Sequence, residues 1–328
     1  MTFVRSLLLC AWASLMVVSL ATAQAKAPKC EAQHYELVPV PLRPSGINAS
    51  QVIVGTSEEG RAALWSKRDG LREAEVPSGF TNSEGVGLND HGFAIGIAIN
   101  RRTTQRQGFT FSDGKVTLLS GAHSRPFAVN NSGQIAGESQ VAGATKSAAV
   151  IWDGAKVTPL GDCCASVAHG IDNRGLVMGN IYDKSGRYQA FVWDETHGLR
   201  RIGPNDSFSA TLAMNQAGEI LLQVYPSDLV LYQGGETKRL ALSDKRPAAH
   251  PRAINSCDVI VGDYGPFGDA NRAFVWSEAQ GFRDLNDLIA PHPGWILQAA
   301  TAIDEAGEIV GWAEHNHEDA GFLLIPQR

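Results

Sequence analysis

Seven times along the chain a large apolar residue is followed by Asn or Asp, at Asn48, Asn89, Asn130, Asp172, Asn215, Asn255 and Asp304, with intervals of 41, 41, 42, 43, 40 and 49 residues. This period constrains the fold more than any other feature. A unit of this length cannot bury an apolar face alone, so neighbouring units must stack, and the spacing is that of four-stranded propeller blades. Unrelated domains would not repeat on one interval.

Each copy has the same internal grammar. The residue before the Asn or Asp is Ile47, Leu88, Val129, Ile171, Met214, Ile254 or Ile303, and the one before that is Gly or Ala. Alternating faces of a strand produce this pattern, one face filling a core and the other meeting a close neighbour. This is strand a. Three residues after the Asn or Asp stands Gly92, Gly133, Gly175, Gly218 or Gly307, supplying the positive φ of a tight turn. Asp258 replaces the glycine at little cost, whereas Gln51 fits worse and predicts a looser turn in the first copy. Strand b is short and usually ends at another Gly. Strand c carries its large residue at Trp65, Phe111, Trp152, Trp193, Tyr232, Trp276 or Leu324, and strand d follows as "KVTPL", "GLRRI", "TKRL" or "GFRDL". Helical periodicity is absent apart from one short turn in "GFRDLNDLIA".

The last copy ends after "GFLLIPQR" without a strand d, while "YELVPVPL" at 35–42 reads as a strand d without its own a, b and c. Pairing the two completes a seventh blade and removes an exposed edge. The fold class is therefore all-β: a seven-bladed propeller of four-stranded blades, closed by an N-terminal strand that completes the C-terminal blade. The domain spans 35–328 and a short segment, 26–34, precedes it.

The repeated hairpin is scaffold rather than a repeated site. A Ca²⁺ loop needs several oxygen ligands per copy, and most copies offer one acidic or amide side chain at a fixed place. The apolar-Asn-x-x-Gly-x-Ile/Val-x-Gly motif followed by "AFVW" and a Gly-x-x-x-Leu strand resembles the HAF family of extracellular bacterial repeat proteins, over roughly residues 35 to 328. The resemblance implies an exported, propeller-like protein and brings no catalytic residue with it.

Residues 1–25 read as a secretory signal peptide: Arg5 as the positive n-region, "SLLLCAWASLMVVSL" as the apolar h-region, and cleavage after Ala23 or Ala25. The apolar run is shorter than the roughly 20 residues that a spanning helix needs. The mature chain is thus expected in the periplasm or outside the cell, without membrane insertion, and as a monomer. Without Arg5 it has 27 basic and 34 acidic residues, a balance that offers no general attraction to nucleic acid.

Function in such a ring belongs on the long, variable d-to-a and b-to-c loops of one face. Trp295 and Trp312 stand outside the repeated aromatic position; with Tyr264 and Phe267 they are candidates for an aromatic platform, against the plainer reading that they cover the junction of blades six and seven. His123, His169, His250 and His292 fall near d-to-a connections of different blades and could meet at the channel mouth. His315 and His317 in "WAEHNHED" are a weak metal candidate, sharing one side if the segment is extended. No nucleophile elbow, zinc-protease helix or phosphate loop occurs, so no residue is singled out as catalytic and no cofactor is expected. Export favours disulfides, and topology ranks Cys30 with Cys257 first, leaving Cys163 and Cys164 to pair with each other or stay reduced. The leading expectation is a non-catalytic binding or interaction module whose partner is a glycan or an envelope protein. The alternative is a hydrolase or lyase acting on an extracellular polysaccharide at the channel mouth.

Overall fold

The computed structural model describes residues 32–327 apart from 113, 141–145, 162–164, 183–186, 205–207, 227, 243–248 and 266–270. Residues 1–25, read above as a signal peptide, and Cys30, Cys163, Cys164 and Phe267 lie outside the described residues. Seven four-stranded antiparallel sheets follow one another in chain order. Strand a of each blade packs on strand a of the next, and strand a of blade 7 (Trp295–Ile303) packs on that of blade 1 (Arg43–Ile47), so the strands a form an inner ring. The chain is a seven-bladed β-propeller.

Ring closure takes the form read from the sequence. Strand His34–Val40 pairs antiparallel with Glu318–Gln327, matching Leu37 to Leu324 and Val38 to Leu323, and becomes the outer strand of blade 7. Tyr35, Leu37 and Val40 are buried, each stabilising closure by roughly 1.5–3 kcal/mol. Among the described residues the one helical turn is a 3₁₀ segment at Leu285–Asp287, inside the longest interval. Its central residue Asn286 accepts the Leu297 amide at 2.8 Å and gives its own side-chain amide to the Leu297 carbonyl at 3.0 Å, tying the insertion to blade 7.

Every strand a carries a register shift at one place, between the residues four and two before the Asn or Asp: Pro44/Gly46, Gly85/Gly87, Pro126/Ala128, Ala168/Gly170, Thr211/Ala213, Pro251/Ala253 and Ala300/Ala302. Such a bulge twists the inner strand and turns one residue per blade out of the ladder. Across the ladder six blades set a close-packed glycine against this strand, while blade 5 bulges at the same place against Leu222. A Cβ on Gly311 would run into the Ala299 carbonyl and the Phe322 ring, and one on Gly179 would meet the Val167 carbonyl and the Phe191 ring. In blade 5 the residue facing Leu222 on strand c is Val230, where blades 2, 4, 6 and 7 carry Phe109, Phe191, Phe274 and Phe322 and blades 1 and 3 carry Ala63 and Val150.

The repeated Asn joins blades as well as turning the chain. Its Oδ1 accepts the amides two and four residues on, as in Asn89 with His91 and Phe93, both at 3.0 Å. Its Nδ2 donates to the carbonyl of the next blade's Asn or Asp: Asn48 to Asn89 at 3.0 Å, Asn89 to Asn130 at 3.0 Å, Asn130 to Asp172 at 3.1 Å, Asn215 to Asn255 at 3.1 Å and Asn255 to Asp304 at 3.1 Å. A second rung lies one residue on, where Ala49, Asp90, Asn131, Asn173 and Ser256 each give an amide to a side chain of the following blade.

The first turn is not looser than the others. Gln51 takes φ 59, its amide reaches the Asn48 carbonyl at 3.0 Å, and Asn48 Oδ1 accepts Ser50 and Val52 at 3.0 Å. Gln51 belongs there because its Nε2 donates to Glu308 Oε1 of blade 7, linking the two ends of the ring.

Candidate ligand-binding site

Trp312 sits on strand b of blade 7 (Ile309–His315) and Trp295 opens strand a of the same blade. The ladder sets Trp295 opposite His315, and their rings stack with centroids 4.5 Å apart and planes 20° from parallel. From blade 1, the Arg43 guanidinium lies 5.0 Å above the Trp312 ring, a cation–π contact. Arg43 makes no side-chain hydrogen bond or ion pair among the described residues, although it stands at the rim of a pocket. The indole thus holds a guanidinium in place with its donors open to a ligand.

The pocket is about 350 Å³ and lies at the junction of blade 7, the closing N-terminal strand and blade 1. Trp295, Trp312, Pro39 and Leu42 give it apolar walls, while Arg43, Glu58 and Asp319 place donor and acceptor groups at its edge. Its place follows from topology, because the d-to-a connection Pro39–Arg43 and two b-to-c hairpins all emerge on one face. Trp295 also packs against the core cluster containing Leu285 and Val261, so the residue that lines the pocket is anchored in blades 6 and 7.

The remaining candidates fall elsewhere. Tyr264 is not on the platform: it is buried in blade 6, its hydroxyl donates to Asp284 at 2.8 Å, and its ring meets Phe282 edge-on at 5.1 Å. Its position on strand b faces the core, which periodicity could not separate from the neighbouring loop. The segment around His315 is not extended either. Asn316 and His317, at φ 53 and 69, form a tight hairpin corner, which sends His317 outward to pair with Glu314 at 3.0 Å while His315 stays on Trp295. Among the described residues no group of three or more His, Cys, Asp or Glu is placed to hold a metal.

The four other candidate histidines each have their own surroundings. His123 is exposed at φ 53, and His292, also exposed, contacts the Ala290 carbonyl at 2.6 Å. His169 is the residue turned out by the bulge of blade 4 and lies 5.2 Å from the Phe127 ring, its counterpart in blade 3. Burial, and then the Arg125 guanidinium, hold its imidazole below the usual range, so it is neutral at physiological pH. His250 Nδ1 lies 3.2 Å from the buried Asp263, which also receives Arg252 Nε and, at 3.0 Å, the Asn271 amide. Cys257 is disulfide-bonded and packs on the core cluster that holds Ala32 and Tyr35.

One aromatic group went unnoticed in the sequence. Tyr182, Tyr188, Phe208 and Tyr225 gather where blades 4 and 5 meet, on the same face as the pocket, with ring centroids 5.9–6.4 Å apart and the Tyr188 and Tyr225 hydroxyls 2.7 Å apart. Tyr182, Phe208 and Tyr225 are among the few exposed large hydrophobic residues. The signal that picked out Trp295 and Trp312, an aromatic residue outside the repeated strand c position, applies to these four as well.

No family model matches the sequence, and no curated protein is detectably similar to it. Solved structures do match in shape. The β-propeller domain of the Trilobed protease from Pyrococcus furiosus aligns with TM-score 0.59 at 9% identity, over 89% of this chain and 95% of that one. Virginiamycin B lyase from Staphylococcus aureus aligns with TM-score 0.59 at 12% identity, over 89% and 99%. Acylaminoacyl peptidase from Pyrococcus horikoshii aligns with TM-score 0.54 at 11% identity, over 92% of this chain but 52% of that chain, so the present chain spans about half its length. The Trilobed protease domain is described as having an open velcro topology, whereas here the N-terminal strand pairs with the last one. At these identities the likeness concerns the propeller scaffold, on which peptidases and a lyase are both built.

Proposed function

We propose that the chain is an exported, non-catalytic binding module that holds a glycan in the pocket between blades 7 and 1. The observation that carries this reading is the meeting of Trp295 and Trp312, two tryptophans that the repeat does not require, with an Arg43 that has no ion-pair partner among the described residues. Aromatic walls receive the apolar face of a sugar ring. A guanidinium donor and the Glu58 and Asp319 acceptors suit its hydroxyls, which both give and accept hydrogen bonds.

A second reading, an enzyme acting on an extracellular polysaccharide, is favoured by the His250 contact with buried Asp263 beside Arg252, a carboxylate-oriented imidazole on an inner strand. One experiment separates the two. The mature protein is screened against glycans and envelope polymers with turnover followed in the same wells, alongside Trp312→Ala and His250→Ala. Binding without turnover, weakened about 10-fold or more by Trp312→Ala and unaffected by chelator, is the expected outcome. Turnover abolished by His250→Ala would replace the module with the enzyme.

A further inference from the structure

Five of the seven blades are joined to the next by an Asn side chain that gives one amide hydrogen to a carbonyl across the junction. Two of those asparagines give their other amide hydrogen to the side chain four residues on, Asn130 to Gln134 at 3.0 Å and Asn215 to Glu219 at 2.6 Å. Blade 7 has Asp304 at this place and Glu308 four residues on. Asp304 Oδ1 accepts the amides of Ala306 and Glu308 at 2.9 and 2.8 Å, as the asparagines do. The second carboxyl oxygen therefore falls where the others carry Nδ2, facing the Asn48 carbonyl of blade 1. Beside it Glu308 is buried, with Oε1 taken by Gln51 and Oε2 without a partner among the described residues. Two carboxyl groups and a carbonyl thus meet with no hydrogen between them, an arrangement that one added proton satisfies.

Among the described residues neither Asp304 nor Glu308 has an ion-pair partner. From blade 1 Gln51 donates to Glu308, and from blade 6 Asn255 donates to the Asp304 carbonyl. Glu305 turns away to Ser256. Burial foremost, with the Glu308 carboxylate adding to it, holds the Asp304 carboxyl up at about 6.

We infer that the ring-closure junction is an acid-strengthened latch, in which Asp304 takes up a proton and becomes the donor that asparagine provides elsewhere, drawing blade 7 onto blade 1. The latch stands whether or not the neighbouring pocket binds a glycan. The folded state holds a proton that the unfolded chain, with an ordinary Asp near 3.9, releases. The added stability is therefore full below about pH 4 and lost as pH rises through about 6.

The test is a series of urea melts of the mature protein from pH 4.5 to 8, with Asp304→Asn, Glu308→Gln and Asp258→Asn. Asp258 is included because its carboxyl, raised to about 6 by burial and by Glu219, adds its own slope at the junction of blades 5 and 6. Asp304→Asn is expected to favour folding roughly 10- to 100-fold at pH 7.5 and to remove part of the fall between pH 4.5 and 7, while Asp258→Asn leaves that part in place. Equal stability of Asp304→Asn and wild type at pH 7.5, with unchanged slopes, would overturn the latch. Should Asp304→Asn fail to fold, Glu308→Gln decides: it is expected to move the upper end of the fall to lower pH, and an unmoved midpoint overturns the proposal.

Discussion

Asp172 and Asp304 occupy one position of the repeat and solve the loss of the asparagine amide in different ways. At Asp172, fully buried, Arg174 folds back onto the second carboxyl oxygen, with Nε at 2.9 Å and Nη2 at 2.8 Å, and the same guanidinium donates to the Ala217 carbonyl of blade 5 at 2.8 Å. A permanent cation supplies the missing donor. At Asp304 the residue two positions on is Ala306, which supplies none, and the nearby side chain is another acid, Glu308. The same carboxylate is thus tied to a permanent cation in the middle of the chain and set beside a second acid where the ring closes. Position in the repeat sets the geometry, and the neighbours set the charge around it.

Three outcomes would break or sharpen this comparison, beginning with the largest. Deleting the chain through Val40 removes the outer strand of blade 7 together with buried Tyr35, Leu37 and Val40, and should cost upwards of about 5 kcal/mol or abolish the cooperative melt. A melt unchanged in urea midpoint would mean that the junction of blades 7 and 1 holds without its closing strand. Next, the disulfide of Cys257 is expected to run to Cys30 and so fasten that strand to blade 6. Peptide mapping without reductant should recover the crosslinked pair, and reduction should lower stability by about 2–5 kcal/mol; a Cys257 peptide joined to Cys163 or Cys164 instead would remove this fastening. Smallest is Arg174→Ala, which strips the cation from a buried carboxylate and should cost about 1–3 kcal/mol at pH 7.5. A variant that melts as the wild type does would mean that the contrast between the two aspartates does not come from their partners.

Much of the fold was legible because it is written in spacing. The Asn or Asp, the Gly three residues on and the large residue of strand c recur on one interval, and the unmatched ends "YELVPVPL" and "GFLL" call for each other by subtraction. The site was legible only in part, and for the same reason. Trp295 and Trp312 stood out as exceptions to the repeat, but that they share a pocket with Arg43 depends on closure, which brings residues far apart in the chain side by side. Tyr264 was misplaced because an aromatic residue at the end of a strand reads alike whether it turns to solvent or to Asp284. Gln51 looked like a poor turn residue because its reason for being there, Glu308, comes from the opposite end of the sequence.

The sequence by itself determined the number of blades, the strands within each and the closing of the ring, since periodicity and turn chemistry act over a few residues and repeat. Only the tertiary structure decided what the repeated Asn does between blades, where strand a bulges, and which carboxylates find a cation. Those outcomes rest on contacts between neighbouring blades, some 40 residues apart or across the junction of the chain ends, where a hydrogen bond or a buried charge depends on the partner that closure supplies.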